Sequence, residues 1–178
     1  GETSIPGVLR SVPGVDVMQM SPVDYNLGIR GFNQRMANKV LVLIDGRSVY
    51  QDFLMDVTFW ETLEINPVDI DRIEIIRGPG ATLYGANAFS GVINIITKTR
   101  GQKDIAIEVL GGSGETLISS ARVSDHIGQF GFDLSVGYEQ TDRFELEYDP
   151  DRNDIEYRVE NPELATRALR ARGGVQWV

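Results

Sequence analysis

The stretch IEIIRGPGATLYGANAFSGVINIITKT, residues 73–99, has the spacing that most directly suggests chemistry. Two apolar runs flank a loop in which Gly78, Gly80, Gly85 and Gly91 recur. A glycine-rich loop after a strand can bring backbone N–H groups up to a phosphate. A P-loop, however, continues as Gly-Lys-Ser/Thr, whereas Gly85 is followed by Ala-Asn-Ala. The residues therefore favour a compact structural loop between two strands, in which the glycines supply positive φ angles.

Few other residues are suited to catalysis. His126 is the one histidine, and it lies in a segment predicted to be a short turn. A Ser-His-Asp triad or a histidine-rich metal site is therefore not supported. The carboxylates Asp149 and Asp151 lack the spaced ligands and glycine of a calcium loop. Because cysteine is also absent, we predict that the chain is not an enzyme and holds no metal or cofactor.

Composition restricts the class of protein further. The 178 residues are 42% hydrophobic, enough for one or two domains with a core. Residues 141–163 contribute −6 of the net charge of −9, because this segment contains nine acidic residues and three arginines. An anionic chain without a basic patch is a poor nucleic-acid binder. No apolar run reaches eighteen residues, and the N-terminal residues do not resemble a signal peptide, so we predict neither a transmembrane helix nor a leader.

The elements that hold the glycine loop are short and apolar. Asn66 suits a helix cap, Pro67 the first helical position and Asp69 the first turn, so a short helix is predicted there. Residues 6–11 predict another helical turn. Runs rich in Val and Ile predict strands at 27–32, 39–46, 71–78 and 91–98. Residues 1–100 are therefore expected to form a small α+β domain with a mixed sheet.

After residue 101 the pattern changes to long alternation. One face of residues 129–140 carries Phe130, Phe132, Leu134, Val136 and Tyr138, and small or polar residues occupy the other. Residues 104–111 and 116–124 alternate more weakly, and residues 168–178 again place Leu169, Ala171, Val175 and Trp177 on one side. A length of about ten residues suits a tilted strand that crosses a bilayer. A soluble β-sandwich alternates in the same way, so periodicity alone leaves both architectures open.

The connections between these strands fit a membrane barrel. They are short at 111–115 and 125–128 and long at the acidic segment 141–163. Long loops of such barrels are extracellular and periplasmic turns are short, so 141–163 is expected outside the cell. The apolar face would then meet lipid, with Tyr138 at the outer interface. Four strands do not close a barrel, so residues 101–178 are expected to be an incomplete one.

Several segments, taken in order, resemble the plug domain and first barrel strands of TonB-dependent outer-membrane receptors. They are LRSVPGV (9–15), IRGF (29–32), VLVLIDGRSVY (40–50) and INPVDIDRIEIIRGPGATLYGANAFSGVINIITK (65–98). The resemblance covers roughly residues 5 to 99. It implies a receptor in the outer membrane of a Gram-negative bacterium, in which the plug occludes a barrel of about 22 strands. The segment before residue 5 that would carry the TonB box, and the later barrel strands, are absent from this sequence.

The resemblance also implies partners. The receptor would import a scarce nutrient such as a ferric siderophore, haem or cobalamin, energised by TonB and embedded in outer-membrane lipid. Plug arginines of this family pair with barrel glutamates, so Arg30 and Arg77 are expected to lock the plug to the barrel. Each follows an apolar strand and precedes a glycine, and a buried guanidinium needs carboxylate partners. Ligand contact and an ordinary surface position are the alternatives for both.

Ligand contacts are expected in two loops that point outward in the family. The candidates are Gln34, Arg35, Tyr50, Phe53 and Trp60. Clustered aromatic residues suit stacking on a flat, partly apolar ligand. They equally suit a small core of the loop itself. For the whole chain, the alternative to a transport receptor is a soluble extracytoplasmic module that binds a ligand or protein without a pore.

Overall fold

The computed structural model describes residues 4–19, 25–29, 31, 39–49, 58, 60, 63, 65–78, 80, 84–85, 88–112, 116–141 and 166–177. These residues form an N-terminal unit that ends near Arg100 and a separate antiparallel sheet that follows it. The expected fold class, a small α+β unit with a mixed sheet followed by antiparallel strands, is confirmed. None of the helices in the described residues has the length and apolar character needed to cross a membrane.

The N-terminal unit begins with a short capped helix. Helix α1 spans Ile5–Leu9, and the Ser4 hydroxyl accepts a hydrogen bond of 3.1 Å from the Gly7 N–H. This satisfies one of the donors that a helix start leaves unpaired. A 3₁₀ helix spans Pro67–Asp69. The strands are β1 Val15–Gln19, β2 Tyr25–Ile29, β3 Val40–Ile44, β4 Arg47–Ser48, β5 Ile70–Arg77 and β6 Gly91–Thr97.

These strands form two sheets. β1 and β2 pair antiparallel, and the second sheet has the order β4-β3-β6-β5. In the second sheet β3 and β6 run parallel, while the two outer pairs are antiparallel. We call this four-stranded sheet the mixed sheet. The end of β5 and the start of β6 lie side by side at one end of this sheet, where the glycine loop joins them.

The core lies on both sides of β3. Val40 and Val42 face a large apolar cluster that includes Leu9, Ile29 and Ile93. Leu41 and Leu43 face a second cluster with Ala88 and Val92 on the opposite side. An uninterrupted apolar sequence such as VLVLI is what a strand covered on both faces requires.

The C-terminal strands form a single meander. They are β7 Asp104–Gly112, β8 Thr116–Ile127, β9 Phe130–Thr141 and β10 Thr166–Trp177, in the order β10-β9-β8-β7. We call this sheet the meander. Three of its strands have twelve residues, a length of about 40 Å at the rise of an antiparallel strand.

Most predicted elements are confirmed, with three differences. β1 was not predicted from the sequence, and the predicted helix at Asn66 is only a 3₁₀ turn. The turn predicted at 125–128 is wrong, because β8 continues to Ile127 and a tight turn at Gly128 and Gln129 follows. His126 therefore lies in a strand. The acidic segment 141–163 lies outside the described residues beyond the end of β9.

Candidate functional site

The meander is apolar on its exposed face. Every second residue of its strands points away from the N-terminal unit, and many of these side chains are large and hydrophobic. Ile107 on β7 is 77% exposed, and Phe130 packs edge-to-face on Trp177 with ring centroids 4.7 Å apart. The other exposed apolar residues are Ile105, Val109, Leu117, Val123, Ile127, Leu134, Val136, Leu169 and Val175. A water-soluble sheet would instead bury this face.

The opposite face of the meander is polar and covered. Its buried residues include Ser120, Arg122, Ser124, Asp133 and Ser135, and Ser135 is only 1% exposed. They are buried because the 3₁₀ helix and the end of β6 in the N-terminal unit lie against them. Polar groups in such a place need partners from the opposite surface.

The 3₁₀ helix supplies the first of these partners. Its geometry comes from Asn66, Pro67 and Asp69, and the Asp69 carboxylate accepts a hydrogen bond of 3.3 Å from the Asn66 N–H. This local bond aims both side chains at the meander. Asn66 Nδ2 donates to Ser135 Oγ at 3.2 Å, and Ser135 Oγ donates to Asp69 Oδ2 at 2.7 Å.

Arg122 on β8 completes the cluster. It is 3% exposed, and its Nε lies 3.4 Å from Oδ1 of Asp69, which is 2% exposed. Its Nη1 also donates to Asp104 Oδ2 at 2.8 Å, which in turn accepts from Lys98 Nζ at 3.0 Å. We call Asn66, Asp69, Arg122 and Ser135 the seam cluster, because they join the two units.

A second set of contacts lies nearer the end of β6. Arg100 Nε lies 2.8 Å from Asp133 Oδ1, and Gln176 Nε2 donates to the Arg100 carbonyl oxygen at 3.0 Å. Arg172 on β10 lies 3.8 Å from Asp45, which follows β3. The two units are therefore joined by charged and polar groups along their contact.

Two glycines of the meander make room for side chains of the N-terminal unit. A Cβ at Gly137 would collide with the side-chain amide of Asn66. A Cβ at Gly174 would lie 2.6 Å from Arg100 Nε. Such approaches are closer than real Cβ atoms tolerate, so a side chain at Gly137 would displace the buried Asn66 amide, and one at Gly174 would displace the more flexible Arg100 side chain.

The predicted site residues lie mostly elsewhere. Arg30, Gln34, Arg35, Tyr50 and Phe53 are outside the described residues. Trp60 is 9% exposed and belongs to the main core of the N-terminal unit. This burial favours the alternative in which the aromatic residues of its loop form a core.

Arg77 contacts the backbone of the N-terminal unit. Its Nη1 donates to the Pro13 carbonyl oxygen at 2.9 Å, and its side chain is exposed. Ion pairs of both polarities join the two units in the described residues. In the Arg122–Asp69 pair the meander provides the arginine, whereas in the Arg100–Asp133 pair the N-terminal unit provides it.

The glycine loop has a geometry that explains its glycines without a phosphate. The N–H groups of Gly78 and Gly80 donate to Ser90 O at 3.0 Å and Ala88 O at 2.8 Å, so they extend the pairing of β5 with β6. Gly78 and Gly85 have φ angles of 121° and 88°. A Cβ at Gly91 would lie 2.6 Å from both the Ile76 carbonyl oxygen and an Ile29 methyl group.

A polar cleft of about 720 Å³ opens between the mixed sheet and β10. Its charged lining residues are Asp45, Arg47, Lys98, Arg100 and Arg172. Three of these cations are already paired with carboxylates, so the cleft carries little net charge. Within the described residues, no group of three His, Cys, Asp or Glu side chains could hold a metal ion.

The seam cluster was missed by sequence reasoning. The sequence indicates Asp69 only as a helix-start residue, and it does not single out Arg122 within the weakly alternating segment 116–124. These residues could be found only by knowing that the polar face of the meander is buried. Alternation in the sequence separates two faces of a strand but does not say which face is covered.

The chain is similar to known outer-membrane receptors in sequence and in structure. The family model described as TonB-dependent Receptor Plug Domain matches residues 1–92. The chain is 33% identical over 168 residues to the vitamin B12 transporter BtuB of Vibrio vulnificus, which covers 90% of this chain and 26% of BtuB.

Several solved receptor structures share the fold. The ferric yersiniabactin uptake receptor FyuA from Yersinia pestis aligns with a TM-score of 0.60 at 24% identity, over 77% of this chain and 21% of FyuA. The siderophore receptor PirA from Pseudomonas aeruginosa aligns with a TM-score of 0.59 at 21% identity, over 98% of this chain and 28% of PirA. The chain thus spans about a quarter of the length of these relatives.

Proposed function

This chain belongs to the TonB-dependent receptor plug domain family, and we propose that the protein it comes from imports a metal chelate across the outer membrane. Its location is the outer membrane of a Gram-negative bacterium, and the expectation that it is not an enzyme agrees with the family. The N-terminal unit is the plug. The meander is proposed as the first four strands of the barrel wall.

The observation that carries this proposal is the reversed polarity of the meander. Its large apolar side chains are exposed, while its serines, Arg122 and Asp133 are buried under the plug. Exposing such a stripe to water has a cost of about 25 cal/mol per Å² of apolar surface. A hydrocarbon environment removes that cost, and strands of nine to twelve residues are long enough for one. The soluble binding module, the alternative function, would require the opposite orientation.

The proposed ligand is a ferric siderophore, haem or cobalamin, with cobalamin as the first to test. BtuB supports this order, because it is 33% identical and is named as a vitamin B12 transporter. FyuA and PirA are more distant and support only the fold. The proposed contacts are Gln34, Arg35, Tyr50 and Phe53, with Trp60 supporting their loop from the core.

Energy for uptake is proposed to come from TonB. Arg30 and Arg77 remain proposed locking residues that pair with barrel glutamates. Arg77 is exposed and its described hydrogen bond is to a backbone carbonyl, which leaves guanidinium donors available for a carboxylate on the barrel wall.

A growth experiment tests the proposal. The full-length gene is deleted, and cells receive cobalamin, single ferric siderophores or haem as the limiting nutrient. We expect growth to fail on one source and to return with the full-length gene. Replacement of Gln34 and Arg35 by alanine should raise the nutrient concentration needed for growth. The matched control Arg72→Gln, an exposed arginine on β5, should not. Normal growth of the deletion strain on every source would contradict import of these chelates and favour the soluble module.

A further inference from the structure

The contact between plug and meander differs in kind from the core of the plug. Within the plug, Ile29, Ile93 and Ile95 are completely buried among apolar neighbours. Across the contact, the seam cluster joins an amide, a carboxylate, a guanidinium and a hydroxyl. A surface that is polar on both sides is typical of contacts that open and close.

We propose that the seam cluster is a latch, which holds the plug against the barrel wall at rest and is broken by water when the ligand passes. This inference rests on the proposed function. It assigns to Asp69 and Arg122 a positioning role that is separate from the expected locking pair of Arg30 and Arg77.

The geometry of the latch explains why it can open. A buried ion pair contributes little net stability, because the cost of removing two charges from water offsets their attraction. The Arg122–Asp69 distance is 3.4 Å, longer than that of a strong charged hydrogen bond. Among the described residues, Asp69 Oδ1 is buried with this long ion-pair contact to Arg122 but no hydrogen bond, and Ser120 Oγ is buried without a hydrogen-bond partner. Water that enters the contact therefore gains bonds that the closed state lacks.

Separation elsewhere would be far less favourable. Opening the plug core would expose Ile29, Ile93 and their neighbours, which water does not solvate well. Opening the contact exposes serines and charged groups that water solvates well. The contact between plug and meander is therefore expected to separate at a lower free-energy cost than the plug core.

Two glycines of the meander leave the space in which side chains of the plug fit against it. Gly137 leaves the space that Asn66 occupies, and Gly174 leaves the space beside Arg100. Alanine at Gly137 would push the Asn66 amide away from Ser135 without altering any charge. This variant weakens the latch by shape alone.

The first experiment measures leakage through the full-length receptor in cells. Vancomycin, which is too large for ordinary porins, reports a displaced plug by killing the cells. We expect Asp69→Leu and Arg122→Met each to increase vancomycin sensitivity by about tenfold. Asp69→Leu removes the acceptor of Ser135 and leaves Arg122 with only its Asp104 pair, and Arg122→Met leaves the buried Asp69 carboxylate without its cation. The double variant should restore resistance, because two apolar side chains replace the pair. Gly137→Ala should give a smaller increase, and Arg72→Gln none.

The second experiment separates holding from release. Binding and uptake of labelled cyanocobalamin are measured for the wild type and the double variant. We expect the double variant to bind normally and to lose most of its uptake, since an apolar contact resists water. Equal leakage from the double and single variants, leakage from Arg72→Gln, or full uptake by the double variant would overturn the latch.

Two controls keep the outcomes distinct. The heat-dependent gel mobility of a folded barrel shows whether each variant is folded, and Gly137→Ala serves if a charged-site variant is not. If the wild type neither binds nor imports cyanocobalamin, the proposed ligand fails. The leakage assay needs no ligand, and its outcome still decides whether the latch exists.

Discussion

An arginine placed on the exposed face of the meander should destabilise the protein by an amount that depends on its position along the strand. Val136 is the seventh of twelve residues in β9 and is 47% exposed. Ile127 is the last residue of β8 and is 74% exposed. If this face meets lipid, Val136 lies near the middle of the bilayer and Ile127 near its edge.

The expected magnitudes follow from the cost of a charge at each depth. Arginine near the middle of the bilayer costs about 2–4 kcal/mol and near the interface about 0–1 kcal/mol. Val136→Arg should therefore be less stable than Ile127→Arg by roughly 2–3 kcal/mol, which changes the folding equilibrium by about 30- to 150-fold. In water the order would be the same but the difference would be about 0.5 kcal/mol or less, because both side chains are substantially exposed and surface substitutions have small effects.

The assay is reversible unfolding of the full-length receptor in lipid vesicles by urea. The folded fraction is followed by heat-dependent gel mobility, and the wild type and both variants are compared at equal lipid concentration. Equal stability of the two variants, or a larger loss for Ile127→Arg, would refute the assignment of this face to lipid.

Three further predictions concern the plug. Trp60→Ala should lower the free energy of unfolding by about 3–5 kcal/mol in a urea titration, because it leaves a cavity in the main core; a loss below about 1 kcal/mol would contradict its core role. Gly91→Ala should cost about 1–3 kcal/mol, because a Cβ would lie 2.6 Å from a backbone oxygen. Gly111→Ala, with open space around it, is the matched control and should be near neutral. Hydrogen bonds to Asp71 and then Glu74 raise the pKa of Arg72 above its usual value. The stability that the charged guanidinium contributes to the folded state therefore persists through neutral pH and is lost only as the pH rises through this raised pKa. Unfolding curves of the wild type and Arg72→Gln should therefore show the same pH dependence around neutrality, and a divergence there would contradict this assignment.

The sequence predicted the fold well wherever local patterns decide the structure. The apolar run at 39–46 and the alternation at 129–140 gave β3 and β9 within a few residues. The cap at Asn66 also marked a real turn. These signals succeed because strand burial and helix capping are properties of neighbouring residues.

The contact between the two units was beyond sequence reasoning. Asp69 and Arg122 are more than fifty positions apart, and neither stands out among the charged residues of the chain. Their pairing depends on the docking of the 3₁₀ helix on the meander, which is a tertiary property. The sequence instead pointed to the two arginines that precede glycines, and the described one of these, Arg77, contacts a backbone carbonyl.

β1 was missed for a different reason. Its sequence VDVMQ alternates over only five residues, and its pairing with β2 supplies what the local pattern lacks. Short strands depend on their partners, because strand propensity mainly reflects packing against neighbours.

The most direct test of the central claim is energised uptake by the full-length receptor. Labelled cyanocobalamin, ferric siderophores and haem are supplied separately to cells with and without functional TonB. We predict that one of these chelates binds to both kinds of cell and accumulates inside only those with TonB. Accumulation that does not depend on TonB, or the absence of accumulation for every chelate in both kinds of cell, would contradict the proposed function.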